Sequence, residues 1–569
     1  MNGLPKAGGL GILVILTLVL YFRGLGTLPF YTVGEPREAL EIWEEIHTGE
    51  WILPMRNGED LPSKPPLFHW LGGVTAAVTG SVDELSARLP SALLATVTVL
   101  LVYWFGATQW SVAAGLYAAC MLAANFEWIR AARSARVDMV LTAFLTGACI
   151  AFQRASATLP PSRLALVLFY LCIGLAMLAK GPIGVLLPVM VGGVYLAVRR
   201  DLLRLRHLHV VLGGLLALAP PAVWYLLAAR RGGGAFVHKQ LLVENLMTFF
   251  GWTADPGTPQ HSFFYVVPAF FGGFAPWSVF ALPLGITLLQ RRGRLDREGW
   301  LYPLVWFLAI FLFFAIAAGK RTVYLLPLYP AAALLCGLWW SRLSSGEPVL
   351  SPRLERGLQW VGIVALLAIA GTSFAVIAEA FGGQPLDRLR PFLHHTDQDN
   401  LPLVHEICRN HRAAFSAWAT LLAATAAVFA GGVWRRRWPL VFAALLVFVA
   451  STTFVVNEII HPEIAQRRTL KPFLTQVRNA VRDDQELAFY DTFDYGAVFY
   501  WRDRIPVVHG QLAEVSAGGG ARYLLMWRSQ WRQLAQDEQQ RLDIVRESEG
   551  SGPDGKDRLL LVAFRPGTS

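Results

Sequence analysis

The sequence predicts an α-helical polytopic membrane protein with about thirteen transmembrane helices, followed by a C-terminal soluble α/β domain. Three observations carry this. Hydrophobic residues make up 54% of the chain and charged ones 16%, short of the roughly 25% charge that a soluble surface needs. The apolar residues fall in repeated stretches of about 15–25, the length that crosses a hydrocarbon core of ~30 Å. The basic residues, which give a formal net charge of +10, gather at the ends of those stretches. That distribution suits anionic membrane lipids rather than nucleic acid.

In chain order the apolar spans lie near 9–22, 88–106, 111–125, 137–153, 164–179, 183–198, 208–228, 262–289, 299–318, 322–341, 357–379, 413–432 and 438–456. The first has neither a strong basic lead nor a convincing cleavage site, so it reads as a retained helix and not a signal peptide. Arg154 and Arg163, the stretch Arg199–Arg206, Arg291–Arg297, Arg342–Arg356 and Arg435–Arg437 all fall on one side under this count. An excess of basic residues marks that side as cytoplasmic, and the N-terminus lies there too. An odd number of spans then places everything after Asn457 outside, which in a bacterium is the periplasmic face of the inner membrane. The chain divides accordingly into a membrane domain, 1–457, with an exterior loop at 23–87, and an exterior domain, 458–569. In the latter, Glu486–Tyr490, Ala497–Trp501, Arg522–Trp527 and Arg558–Phe564 read as strands, and Val477–Arg482 and Trp531–Arg541 as helical turns. No nucleotide loop or catalytic cluster stands out there, which points to a packing or lid role. Of five cysteines, four lie in apolar stretches and Cys408 sits in a polar loop; their spacing forms no metal or disulfide framework.

The informative residues are the charges that topology does not explain. The first exterior loop holds Gly34-Glu35-Pro36-Arg37, an amphipathic stretch Glu38–His47, and Lys64-Pro65-Pro66 opening an apolar run. Proline suits a first helical turn, whose free N–H groups attract anions, so Lys64 is placed either to hold a phosphate or to snorkel. The second exterior loop carries Arg130, Arg133 and Arg136, whose spacing of three puts them near one face of a helical segment. Asp138 follows at the start of the apolar run Val137–Ile150, as a helix cap or as a functional acid. Lys180-Gly181-Pro182, and Lys320-Arg321 just before Tyr324, lie on the same side. Cations from separate loops thus converge on the exterior face and describe a pocket for a phosphate carried at the bilayer surface, such as a polyprenyl phosphate. Glu35 and Asp138 supply acids to deprotonate an acceptor hydroxyl or to orient a divalent metal ion. His261 and Glu244, in the segment 229–261, are further metal-ligand candidates, although a lone histidine beside a span more often packs structurally. Transfer of a sugar from a lipid phosphate needs a base for the acceptor and positive charge for the departing phosphate. A secondary transporter is the weaker reading, because it needs ionisable groups near mid-membrane and these lie at span ends.

These same residues carry a resemblance. The string GEPREALEIWEEIHTGEWILPMRNGEDLPSKPPLFHW is similar to the first exterior loop of the bacterial aminoarabinose transferase and protein O-mannosyltransferase-like glycosyltransferases, which have the GT-C fold. So are ARLPSALLATVTVLLVY at 87–103, RSARVDMVLTAF at 133–144, LAKGPIGVLLP at 178–188, the stretch Glu244–Trp277 ending in GGFAPW, and GKRTVYLLPLYPA at 319–331. The resemblance covers most of the first 340 residues. It implies an enzyme that moves a sugar from a polyprenyl (undecaprenyl) monophosphate donor to lipid A, another glycolipid or a protein. It also implies that Lys64 and Lys180 bind the donor phosphate, with Arg37 organising the first loop. Tyr324, Lys320 and Arg321 would line the donor cavity, and Asp138 would be an acid of the catalytic site. Two departures matter. Gly34 stands where the family usually has the first acid of Asp-Glu-x-Arg, and Ser63 where a Glu tends to precede Lys-Pro-Pro. Three readings follow: Glu35 serves as base, the acceptor is already ionised and needs none, or the protein handles polyprenyl-phosphate lipids without transfer. The loss of two carboxylates also weakens the expectation of a metal.

Overall fold

The structure, a computed structural model, describes residues 7–252, 259–392, 401–481, 487–510, 512, 521–553, 555 and 557–565. Eight of its helices are long and apolar enough to cross a membrane, and ten spans result if each of two bent pairs counts as one. The bent pairs, Val112–Ala123 with Phe126–Ala132 and Phe263–Gly273 with Trp277–Gln290, turn by 67° and 113°. The second break follows from Pro276, which cannot continue the preceding turn. The remaining three predicted spans are the shorter apolar helices Gly8–Phe22, Ile183–Val198 and Leu301–Ile316. A fourth apolar helix, Leu67–Thr79, follows Lys64-Pro65-Pro66 in the first loop. The chain is therefore a multi-pass membrane protein.

Small residues set the packing. A β-carbon on Gly106 would lie 2.7 Å from the Gly115 Cα, and one on Gly337 would lie 2.5 Å from the Ala118 nitrogen. The helices Glu84–Gln109, Val112–Ala123 and Tyr329–Ser344 close up on these positions, as backbones do where lipid supplies no hydrophobic drive. Burial separates centre from rim. In the apolar window of Thr322–Ser344, 89% of residues are buried, against 11% for Pro352–Ala380. The first is the central element and the second faces lipid. The basic loops assigned to one side meet one another: Arg199 pairs with Asp296, Glu298 takes both Arg291 and Arg342, and Arg436 pairs with Glu355.

The opposite end carries the first loop. Its amphipathic stretch is the helix Gly34–Thr48, which lies on Leu67–Thr79 where Gly72 makes room for Ile42. Three acids lie on its buried face, and two of them form a network. Glu38 Oε2 lies 2.8 Å from His69 Nε2, Glu41 lies 3.1 Å from His69 Nδ1 and 3.5 Å from Arg56, and Glu45 has no partner among the described residues.

At the C-terminal end a five-stranded sheet has the order β2-β1-β3-β5-β4, with β1 Leu487–Tyr490, β2 Val507–Val508, β3 Tyr523–Trp527, β4 Leu542–Glu547 and β5 Leu559–Phe564. β1 is parallel to β2 and β3, whereas β5 is antiparallel to β3 and β4. Three predicted strands are present, but Ala497–Trp501 is not one of them. It belongs to the helix Tyr495–Trp501, started by Asp494, whose carboxylate accepts from the Ala497 N–H. A short continuous apolar run does not distinguish a strand from a buried helical turn, and here the cap decides. Trp531–Arg541 forms two short helices, Arg528–Gln533 and Gln536–Gln540, and the turn at Val477 belongs to Lys471–Ala480. Arg482 and Glu486 lie outside the described residues. Cys408, expected in a polar loop, is buried in the helix Leu401–Asn410. The sheet unit is tied to the first loop. Asn57 Nδ2 donates to the Ile505 carbonyl at 2.7 Å and its Oδ1 accepts from the Ile505 N–H at 2.8 Å. Tyr500 donates to Glu84 and accepts from the Phe30 N–H, while Tyr495 donates to Asp60.

Candidate functional site

Two cavities open at the end of the bundle that carries the first loop. The first has a volume of about 340 Å³. Its polar end is built from helix termini. The helix Arg163–Lys180 stops because Gly181, at φ +78°, turns the chain and gives its N–H to the Met177 carbonyl. Pro182 then starts the next helix, Ile183–Val198. Lys180 therefore sits at a helix C-terminus and Asp138 in the first turn of the neighbouring helix Val137–Ala157, so each charge lies at the pole that favours it. The two form an ion pair, and the Lys180 ammonium lies 4.1 Å from the centroid of the Tyr324 ring. Across the cavity Lys64 pairs with Glu244 at 2.5 Å. Ser63 also lines this space, and the far wall is apolar, with Leu186, Phe249, Phe250, Phe313 and Phe314. Two lysines at the head of an apolar slot match an anionic head on a hydrocarbon tail.

The second cavity, of about 310 Å³, is lined by Tyr31, Glu35, Arg88, Arg130, Arg133, Arg136 and His461. Glu35 and Asp138, expected together in one site, thus line two cavities. Glu35 is held by Arg88 through both oxygens, at 2.8 and 3.1 Å, and its Oε1 also accepts from the Ala135 N–H. Burial pushes the Glu35 carboxyl up, but Arg88, that N–H and Arg136 together hold it below its ordinary value. The spacing of Arg130, Arg133 and Arg136 does not place them on one helix. The helix Phe126–Ala132 ends before Arg133, and Arg136 is the residue before the next helix. The turn between the helices still brings all three to the same cavity.

The other predicted residues go elsewhere. Arg37 pairs with Glu38 at 2.8 Å within the first-loop network. Lys320 is buried and donates to the Ser262 and Ala315 carbonyls, closing the end of the helix Leu301–Ile316 instead of facing the cavity. Arg321 lies close enough to Lys180 for their charges to act on one another. His261 stacks on Tyr265 with centroids 3.8 Å apart, and Glu244 is engaged by Lys64. Among the described residues no three of His, Cys, Asp and Glu gather as a metal-ligand set. Arg88 was missed in the sequence, although an arginine at the head of an apolar run was the signal for it.

Comparison with known proteins adds the relationship. Residues 63–225 match the family model described as dolichyl-phosphate-mannose-protein mannosyltransferase. The undecaprenyl phosphate-alpha-4-amino-4-deoxy-L-arabinose arabinosyl transferase of Aeromonas hydrophila is 26% identical over 377 residues, covering 64% of this chain and 66% of that protein. Alignments with the first curated relatives span 62–73% of their length. The crystal structure of ArnT from Cupriavidus metallidurans bound to undecaprenyl phosphate superposes with a TM-score of 0.72 at 22% identity, covering 99% of both chains. The Archaeoglobus fulgidus oligosaccharyltransferase in the apo form gives 0.53 at 13% identity, over 92% of this chain and 70% of that one. The chain therefore has the fold of that ArnT along the whole length of both, and the stretch similar to the mannosyltransferase family model contains Lys64, Asp138 and Lys180 of the first cavity.

Proposed function

We propose that this protein is a membrane glycosyltransferase that moves a sugar from a polyprenyl monophosphate to a lipid A-type, glycolipid or protein acceptor. The reading includes a bacterial inner membrane location and a periplasmic domain at 458–569. The observation that carries it is the first cavity, where Lys64 and Lys180 head an apolar slot of about 340 Å³. An arriving phosphate competes with Glu244 for Lys64, while Lys180 stays neutralised by Asp138 and braced on Tyr324. In transfer an acceptor oxygen, as its anion, attacks the anomeric carbon, and the bond from that carbon to the phosphate oxygen breaks. The electron pair leaves with the polyprenyl phosphate, and the Lys64 charge stabilises the leaving anion. The arabinosyl transferases similar to this chain are named for an undecaprenyl phosphate-linked sugar, which supports the donor class.

The test is release of polyprenyl phosphate from a polyprenyl-phosphate sugar by the purified full-length protein across a panel of acceptors. Lys64→Ala is the cleaner variant, because Lys180→Ala strands a buried Asp138 and costs about 3–5 kcal/mol of stability. Lys64→Ala lowers turnover at least tenfold with an unchanged melting temperature. Donor binding without turnover by the parent on any acceptor overturns the transferase reading. It would favour the alternative, a homologue that handles polyprenyl-phosphate lipids without transfer, which the commitment of Glu35 to Arg88 also supports.

A further inference from the structure

The helix Ile183–Val198 begins beside the first cavity and ends, 16 residues on, at the opposite end of the bundle. There an open cavity of about 580 Å³ is lined by Ala197, Arg200, Leu202, Leu203 and Arg206. The turn that builds it is well fixed. The Asp201 N–H donates to the Leu196 carbonyl at 2.9 Å and the Arg200 N–H to the Ala197 carbonyl at 3.0 Å, with Arg200 at φ +57°. This way of closing a helix ordinarily takes a glycine, because a β-carbon strains the left-handed backbone. The segment that follows, Leu202–Leu208, is tied down by Leu208, which is buried and whose carbonyl accepts from the Tyr170 hydroxyl. A second helix at this end, Arg412–Trp434, closes alike: the Arg437 N–H donates to the Gly432 carbonyl, and Arg436 stands at φ +57°. The Arg436 guanidinium, however, pairs with Glu355. Those of Arg200 and Arg206 make no hydrogen bond or ion pair among the described residues, and Asp201 and Asp296 are already taken by Arg204 and Arg199.

Beside these two cations Leu202 and Leu203 expose 52% and 69% of their surface. Arginines over exposed leucines, at the end of an apolar helix, match a phosphate that carries acyl chains better than a soluble anion. We infer that this cavity binds an anionic diacyl phospholipid of the adjoining leaflet, its phosphate between Arg200 and Arg206 and its chains over Leu202 and Leu203. Each planar guanidinium offers paired N–H donors to phosphate oxygens, so two of them bridge one phosphate. A zwitterionic headgroup fits less well, because it brings its own ammonium toward the arginines. The strained turn at Arg200 then has a use, since glycine would close the helix as well but leave a single cation in the cavity. The site lies at the end remote from the other two cavities and stands apart from the transferase reading.

The experiment follows lipid binding to the purified full-length protein by native mass spectrometry. Phosphatidylglycerol and phosphatidylcholine with the same acyl chains are titrated separately in detergent. The parent binds its first phosphatidylglycerol about tenfold more tightly than its first phosphatidylcholine. Arg200→Gln combined with Arg206→Gln removes that preference. Arg292→Gln combined with Arg294→Gln keeps it, although it takes away the same charge from exposed arginines of a neighbouring loop. Arg200→Gly relieves the backbone, so it melts no lower than the parent in detergent, yet it loses part of the phosphatidylglycerol affinity. It serves if the paired variant fails to fold. Equal binding of the two lipids by the parent overturns the inference, as does an unchanged preference in the Arg200 variants. An equal loss in the Arg292 and Arg294 pair also overturns it, and leaves only the general attraction of a basic face.

Discussion

At the scale of single residues, the acids of the first loop show how one environment separates chemically identical groups. Glu38, Glu41 and Glu45 recur on one face of the helix Gly34–Thr48, and all are buried. Burial pushes each carboxyl up, and only the partners differ. Arg37 and His69 hold Glu38 below its ordinary value, whereas burial keeps Glu41 above its own despite His69 and Arg56. Glu45 has only Glu41 for a charged neighbour, and its carboxyl is raised well above the usual range. The sign of the consequence follows. The folded state binds the Glu45 proton more tightly than the unfolded chain does. Stability is therefore full below the ordinary carboxyl range and falls as pH climbs toward the raised value. Glu45→Gln removes this dependence, so the variant gains melting temperature over the parent at pH 8 but not at pH 4. Identical pH profiles for the two proteins in detergent would show that Glu45 is not buried as described. The periodicity of these acids was legible in the sequence as an amphipathic stretch. That the face carrying them turns inward was not, because it depends on His69 and Arg56, which lie outside that helix.

At the scale of elements, termini and turns place the chemistry more than helix interiors do. Lys180 and Asp138 meet because one helix ends where its neighbour begins, and LAKGP encodes that end directly: a lysine, a glycine at positive φ and a proline. This part of the site could be read from the sequence. The arginines of the second exterior loop could not be read so well, because the break after Ala132 replaces helical spacing with a turn. The strand expected at Ala497–Trp501 failed for a related reason: the Asp494 cap outweighs a pattern that fits strand and helix alike. The junction between first loop and sheet unit was invisible, since it rests on one side chain acting as a peptide group. Asn57, at φ +54°, exchanges two hydrogen bonds with the buried backbone of Ile505. Asn57→Ala leaves both Ile505 groups unpaired and strains the left-handed backbone, at a cost of about 2–4 kcal/mol. Asn57→Gly keeps the backbone freedom, loses the pairs and falls between the two. Thermal unfolding of the three proteins should rank parent, glycine and alanine in that order. A melt of the alanine variant within a degree of the parent would remove Asn57 as the joint.

For the whole molecule, the distribution of charge divides the bundle into two unlike ends. At one end arginines from the loops at 199–206, 291–298 and 342–356 pair with acids of their own or neighbouring loops and stay near the surface. At the other, cations are drawn inward around two cavities, and the sheet unit packs on the loop that helps to build them. Ten of the thirteen expected spans were legible as apolar runs, because the cost of exposing polar backbone to lipid keeps such runs continuous. The broken pairs were not, because a run interrupted by a bend has the same composition as a straight one. In the proposed orientation, with the basic loops retained in the cytoplasm, the surface-paired end faces inward and the cavities and sheet unit face the periplasm. Ser345 and Ser529 report on the two ends: both are exposed, and among the five native cysteines four are buried and Cys172 is only partly exposed. In intact spheroplasts a membrane-impermeant maleimide should label Ser529→Cys and leave Ser345→Cys unmodified until the membrane is permeabilised. The reverse pattern would put the phosphate cavity on the cytoplasmic face and overturn the proposed orientation. Equal labelling of both in sealed cells would deny that an odd number of spans separates them.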